Sequence, residues 1–307
     1  MKRREFLGAA VAGTASALVG GDPAVAVAQQ AAPVEVNPTA VVQLGKELRA
    51  CRLGSGTGMR GGGRQTNQTR MGREKFEALL NHSYDQGIRL FDAADLYGTH
   101  PYIGRVMQDK PRDNFQIVSK IWVRRGGILE PERPLADVLV ERFLRELRMD
   151  YIDVLQIHCM TSPDWPDEQR PQMDAMEKLK ERGLIRAHGV SCHSLAALRT
   201  AAEEAWVDVI HARVNPYGAK MDDRPENVVP VLEKARANGK GVIGMKLAGE
   251  GTFDAEQRKR TVEWALNLGC LDVLIVGFEK PEEIDEFKAN VREALVAQAR
   301  QLGATKT

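Results

Sequence analysis

Apolar residues fall in short consecutive runs along the chain, and polar or mixed segments long enough for one helix separate most neighbouring runs. The runs are CRLGSGTG (51–58), IRLFDAA (88–94), FQIVSKIWV (115–123), YIDVLQIHCM (151–160), LIRAHGVSC (184–192), VDVIHARVN (207–215), GVIGMKLAG (241–249) and LDVLIVGF (271–278). Continuous rather than alternating apolarity suits strands covered on both faces. Between them, Phe76, Leu79, Leu80, Ser83 and Tyr84 are spaced for one face of a helix, as are Ala136, Leu139, Val140, Phe143, Leu144 and Leu147, and Val228, Val231, Leu232 and Ala235. Eight strands alternating with helices, without a break at mid-chain, predict an α/β fold of the closed (β/α)8 (TIM) barrel type rather than an open doubly wound sheet.

The 307 residues, 43% of them apolar, suffice for one such barrel. Before the first run the character differs. Lys2, Arg3 and Arg4 precede a small, weakly apolar stretch from Leu7 to Val19, and Ala26-Val27-Ala28 follows as an A-x-A cleavage pattern. The run Arg3-Arg4-Glu5-Phe6-Leu7 resembles a twin-arginine (Tat) export signal. That likeness implies the Tat export machinery as a partner, a periplasmic location and no stable membrane span after cleavage. An uncleaved anchor is the alternative, although the apolar stretch is shorter than the roughly 20 residues a span needs. The expected organisation is a signal over residues 1–28, a Pro-containing linker over 29–47 and the barrel over 48–307.

Lys and Arg number 43 against 42 for Asp and Glu, so no overall field recommends nucleic acid or an anionic membrane as a partner. Cys51, Cys159, Cys192 and Cys270 are far apart and form no CxxC pair, which argues for isolated thiols over a disulfide framework or zinc ribbon. Gly56-Thr57-Gly58-Met59-Arg60-Gly61 fits G-x-G-x-x-G, but no helix follows directly, and the next one is expected near Gly72. The dinucleotide role of that motif needs an immediate strand-to-helix turn, so a loop over the barrel mouth is the better reading.

Barrel chemistry collects where strand C-termini feed their loops. The polar residues there are Asp92, Lys120, His158, Ser191, Cys192, His193, Asn215 and Lys246, with Tyr97 just beyond Asp92. A tyrosine with an ordinary pKa of about 10 needs a neighbour to stabilise its phenolate. Lys120, on the strand next to Asp92, can supply a positive charge, Asp92 can hold that ammonium, and His158 can bond a substrate oxygen.

FDAADLYG, VSK and DYIDVLQIH carry Asp92, Tyr97, Lys120 and His158 in order, and the set resembles the aldo-keto reductase superfamily over nearly the whole chain from RLGSGTG to VGFEKPEEIDEF. The resemblance implies reduction of a small carbonyl substrate, an aldehyde or ketone, to an alcohol, with NADP or NAD as coenzyme and Tyr97 as proton donor. It also implies nicotinamide contacts from Ser191, His211, Met245 and Lys246, and nucleotide contacts from Gly277, Glu279 and Lys280. Cys192 stands in place of the family's usual asparagine, Met245 in place of a stacking tyrosine, and Phe287 in place of an adenine-binding asparagine. Glu279 occupies the position of an arginine that meets the 2′-phosphate. A carboxylate there repels that phosphate and suits ribose hydroxyls, whereas Lys280 could attract it, so both coenzymes remain open.

Each residue also has a plainer role: Asp92 as a turn cap, Tyr97 as a rim aromatic, Lys120 as a solvated strand end, and His158 as a core histidine. A barrel that binds coenzyme without catalysis is one alternative. Another is a metal-dependent barrel hydrolase using His158, Cys159, His188, Cys192 and His193, although no H-x-H marks an early strand. His82, His100 and His193 read as surface or loop histidines. Loops 124–134 and 159–171, with Trp122 and Trp165 nearby, are expected to set substrate choice.

Overall fold

The structure, a computed structural model, describes residues 35–46 and 48–304. The expected signal over 1–28 and the first part of the expected linker lie outside the described residues. Part of that linker is ordered into the fold. β1 (Val41–Leu44) and β2 (Leu48–Cys51) form an antiparallel hairpin with Val41 opposite Cys51. Leu44 is buried, and a Cβ on Gly241, at the start of a barrel strand, would lie 2.7 Å from its Cδ1. Of the apolar residues Val41, Val42 and Leu44, too few to show a period, Leu44 alone is fully buried and closes the N-terminal end of the barrel at Gly241, while Val41 stays exposed.

Eight parallel strands close the barrel: β3 (Leu53–Gly56), β4 (Leu90–Asp92), β5 (Gln116–Trp122), β6 (Ile152–Met160), β7 (Ile185–Cys192), β8 (Val209–Arg213), β9 (Gly241–Met245) and β10 (Val273–Gly277). Each pairs with its successor and β10 returns to β3, as the eight apolar runs predict. All nine residues of β6 are buried, which is why its apolarity is continuous.

The helices are α1 (Asn67–Arg70), α2 (Arg73–Asp85), α3 (His100–Met107), α4 (Ala136–Leu147), α5 (Trp165–Glu168), α6 (Arg170–Glu181), α7 (Leu195–Glu203), α8 (Pro225–Ala237), α9 (Ala255–Asn267) and α10 (Pro281–Ala304). α2 buries Phe76, Leu79, Leu80 and Ser83, and α4 buries Ala136, Leu139, Val140, Phe143 and Leu147, the faces their spacing marks. The helix expected near Gly72 has a short forerunner in α1, where Thr66 and Thr69 close a reciprocal capping box. Among the described residues no helix is long and apolar enough to cross a membrane.

Candidate active site

Strand geometry brings Asp92, Tyr97, Lys120 and His158 to the C-terminal end of the barrel. Asp92 is the last residue of β4, and a single 3₁₀ turn over Asp95–Tyr97 swings the phenol back over the opening. Lys120, two residues from the end of β5, points its ammonium at Asp92 Oδ1 and donates to the Ala93 carbonyl at 3.0 Å. Its Nζ also lies 5.3 Å from the centroid of the Tyr97 ring. Tyr97 Oη is 3.4 Å from His158 Nε2, and the two rings meet edge to face.

Burial by itself would raise the Asp92 carboxyl, but the Lys120 ammonium, followed by His211, outweighs it and holds Asp92 well below the usual carboxylate range. The phenol moves the other way. Burial, with the charge on Asp92 adding to it, pushes Tyr97 well above its ordinary value. This reverses the expectation that Lys120 acidifies Tyr97: the ammonium is engaged by Asp92, so little of its field is left to offset desolvation. Tyr97 therefore keeps its proton at neutral pH. His158 is pushed well below its usual value by burial and then by Lys120, so its ring is neutral.

β6 does not run straight into this site. Its pairing with β7 shifts register between Ile157 and Met160, and Cys159 adopts φ +68°. The Cys159 amide donates to Ser191 Oγ at 2.8 Å. A bulge of this kind re-aims neighbouring side chains, so the Ser191 hydroxyl helps set the direction of His158. Ser191 is thus built into the wall, and His211, fully buried, turns Nε2 toward Asp92 Oδ1 at 3.4 Å. Neither lines the groove described below, which departs from the nicotinamide contacts expected of them.

Of the three histidines read as surface or loop groups, His82 and His193 are partly exposed and His193 stands in a bend, whereas His100 is not at the surface. His100 is buried, bridging Ser119 Oγ at 2.8 Å and Glu146 at 3.0 Å, because α3 folds back over β5. His193 sits beside the reacting groups with its ring 6.4 Å from that of His158. Trp122 flanks His158 at 5.3 Å, whereas Trp165 is buried against Trp206 and cannot face a substrate. His188 turns away to Glu177 and Asp208, and among the described residues no three His, Cys, Asp or Glu side chains gather as metal ligands.

A groove leaves the phenol along the ends of β9 and β10. Gly56, Gly58, Met59, Asp92, Met245, Lys246 and Gly277 line its inner part beside Tyr97. The G-x-G-x-x-G segment is a loop over the mouth, as expected, and its glycines make room for the phenol: a Cβ on Gly58 would stand 2.3 Å from Tyr97 Cζ. Gln68 pins the loop by donating to the Gly56 and Phe278 carbonyls at 3.2 and 3.3 Å.

The outer part of the groove is lined by Phe278, Glu279, Glu283, Glu286, Phe287 and Asn290, with Arg258 opposite. Glu283 accepts the Glu279 amide at 2.7 Å and the Lys280 amide at 3.3 Å, just before α10 begins. The helix-start amides that could grip a phosphate are already held by a carboxylate. Arg258 is occupied by Glu286 at 2.7 and 2.8 Å. Lys280, expected as a possible phosphate ligand, lines a separate surface hollow with Arg70 and Lys75. The outer groove thus presents carboxylates, and its Arg258 is already paired.

A profile of the Aldo/keto reductase family matches residues 52–263. The chain belongs to the aldo/keto reductase family. Among curated relatives, the aldo-keto reductase YhdN of Bacillus subtilis is 29% identical over 229 residues, covering 68% of this chain and 65% of the relative. The uncharacterized oxidoreductase YqkF of the same organism is 28% identical over 196 residues, covering 60% and 61%. The matched region thus spans less than two thirds of either relative. Among solved structures, an aldo-keto reductase from Bacillus halodurans in its holo form superposes with a TM-score of 0.66 at 19% identity, covering 82% of this chain and 91% of that one. A Klebsiella pneumoniae aldo-keto reductase in complex with NADPH gives a TM-score of 0.60 at 20% identity, covering 86% and 95%. These likenesses establish the shared barrel for this aldo/keto reductase.

The sequence marked all four rim residues through strand ends and order. It gave no sign of Glu283 or Asn290 in the groove, and it named Ser191 and His193 without the bulge that ties Ser191 to Cys159.

Proposed function

We propose that this family member reduces a small aldehyde or ketone with NADH or NADPH, using Tyr97 as the proton donor. One observation carries this reading: a protonated phenol, 3.4 Å from a neutral histidine, stands beside a buried Lys120–Asp92 pair at the head of the groove. When bound along that groove, the reduced coenzyme supplies a hydride for the carbonyl carbon.

The protein's own groups handle the oxygen. His158, in the tautomer with its proton on Nε2, and Tyr97 Oη converge on one point where the carbonyl oxygen can accept two hydrogen bonds. As charge builds on that oxygen, Tyr97 donates its proton, and the phenolate left behind faces the Lys120 ammonium. A high ground-state pKa suits this order, because the proton stays in place until the oxygen becomes basic. Asp92 positions the ammonium, and His211 buttresses Asp92. The curated relative named NADH-specific methylglyoxal reductase, from Escherichia coli, is 24% identical over 211 residues and agrees in reaction class with this proposal.

Absorbance at the reduced-coenzyme band with a simple aldehyde tests the proposal. Tyr97→Phe should lower kcat by about 10² to 10⁴ while changing coenzyme Kd little. A variant that keeps its turnover would remove Tyr97 from the reaction, and a barrel that binds coenzyme without any turnover would favour the non-catalytic alternative.

The same reading includes export. Arg3-Arg4-Glu5-Phe6-Leu7 and Ala26-Val27-Ala28 support passage through the twin-arginine machinery to the periplasm, a route that by family analogy accepts folded proteins with their cofactor. Cell fractionation of the full chain should place it in the periplasm, and Arg3→Lys with Arg4→Lys should retain it inside. Equal distribution of both forms would end the export proposal.

A further inference from the structure

We infer that the substrate carries a carboxylate beside its carbonyl chain, and that Arg124 is the residue that receives it. This rests on the reductase reading above and gives that site a substrate class.

Arg124 lies two residues beyond the end of β5, so its backbone emerges next to Trp122 and His158. The loop is tied down there, because Arg133 donates to the Val123 and Arg124 carbonyls at 3.1 and 2.9 Å, and Trp122 Nε1 donates to Gly126 at 2.5 Å. From this fixed base the guanidinium reaches Cys159 Sγ at 3.0 Å, and Cys159 is the bulged residue directly after His158. A cysteine sulfur is a weak acceptor. Among the described residues, Arg124 has no carboxylate within ion-pair distance.

The neighbouring cations differ in this respect. Arg213 is held by Asp222 and by the His193 carbonyl at 3.1 Å, Lys246 by Glu250 at 2.6 Å, Lys120 by Asp92, and Arg64 by Asp95 and Glu132. Arg60, which lines the inner groove, is the exception among them, since it too has no ion pair among the described residues; Arg124 is the one bonded to Cys159, next to His158. The positive field is felt nearby: His193 is pushed down to about 3, first by burial and then by Arg213, Lys246 and Arg124. Burial first, with nearby cations adding to it, pushes His158, His193 and His211 down, so none supplies a second charged anchor at neutral pH. A planar fork with free N–H donors matches a carboxylate, and Arg124 is exposed, so a substrate carboxylate can reach it.

The test compares succinic semialdehyde with its neutral methyl ester, which share the reacting aldehyde. The expected result is a kcat/KM at least tenfold higher for the acid, and a collapse of that ratio in Arg124→Gln with partial recovery in Arg124→Lys. A ratio near one in the unaltered protein, or a ratio that Arg124→Gln leaves in place, overturns the inference while turnover of the ester still upholds the reductase reading. If neither aldehyde is turned over, the reductase reading fails separately. Quenching of tryptophan fluorescence by 4-hydroxybutyrate then decides the matter: saturable binding that Arg124→Gln abolishes supports the carboxylate site, and the lack of saturable binding refutes it.

Discussion

Replacing Lys120 by methionine tests the pair on which the proposed chemistry rests. The ammonium is 1% exposed and its carboxylate partner 9%, so neither can turn to water when the other is removed. In Lys120→Met, Asp92 keeps its charge in a dry site with His211 Nε2 at 3.4 Å as its remaining neighbour. Breaking one side of a buried pair costs about 3–5 kcal/mol, which for a domain of this size corresponds to a fall in Tm of roughly 6–20 °C.

The pH dependence carries its own sign. In the unaltered protein the Asp92 carboxyl is depressed, so its stabilisation is present above the ordinary aspartate value of about 3.9 and lost only as pH falls through the lower folded value. In the variant only His211 is left to oppose burial, and the carboxyl is expected to rise above that ordinary value. The penalty is then greatest near neutrality and shrinks as the pH falls toward the raised value. Urea unfolding at pH 7.5 and 5 should show the gap between the two proteins narrowing at the lower pH, and adding Asp92→Asn should restore much of the loss. A loss below about 1 kcal/mol, or a gap independent of pH, would refute the claim that the pair is dry and mutually dependent.

Gly58→Ala puts a Cβ 2.3 Å from Tyr97 Cζ, so the phenol must shift; a fall in kcat of at least about tenfold with a small change in Tm is expected, and unchanged kcat would show that the ring is free to adjust. Glu279→Arg removes one of the carboxylates lining the outer groove and should raise affinity for NADPH relative to NADH, measured as Kd by coenzyme fluorescence. An unchanged ratio would mean that Glu279 does not face the 2′ position.

Much of the molecule is written locally in the chain. Continuous apolar runs need cover on both faces, and eight of them alternating with helices without a break close into one cylinder. Residues near strand C-termini lie at the barrel mouth, so Asp92, Lys120 and His158 were legible from position, and Tyr97 from its closeness to Asp92. Other features have no local signature. Whether Lys120 acidifies the phenol depends on which of two neighbours engages its ammonium, and tertiary packing gave it to Asp92. His100 looks like a loop residue along the chain because its burial comes from strands and helices distant in sequence, and the approach of His193 to His158 likewise depends on another strand. The bulge at Cys159, the Glu283 carboxylate over the start of α10, and the unpaired guanidinium of Arg124 arise where separate loops meet. Periodicity records what one element buries; charge balance and the direction of a side chain depend on several elements at once, so only the assembled barrel decides them.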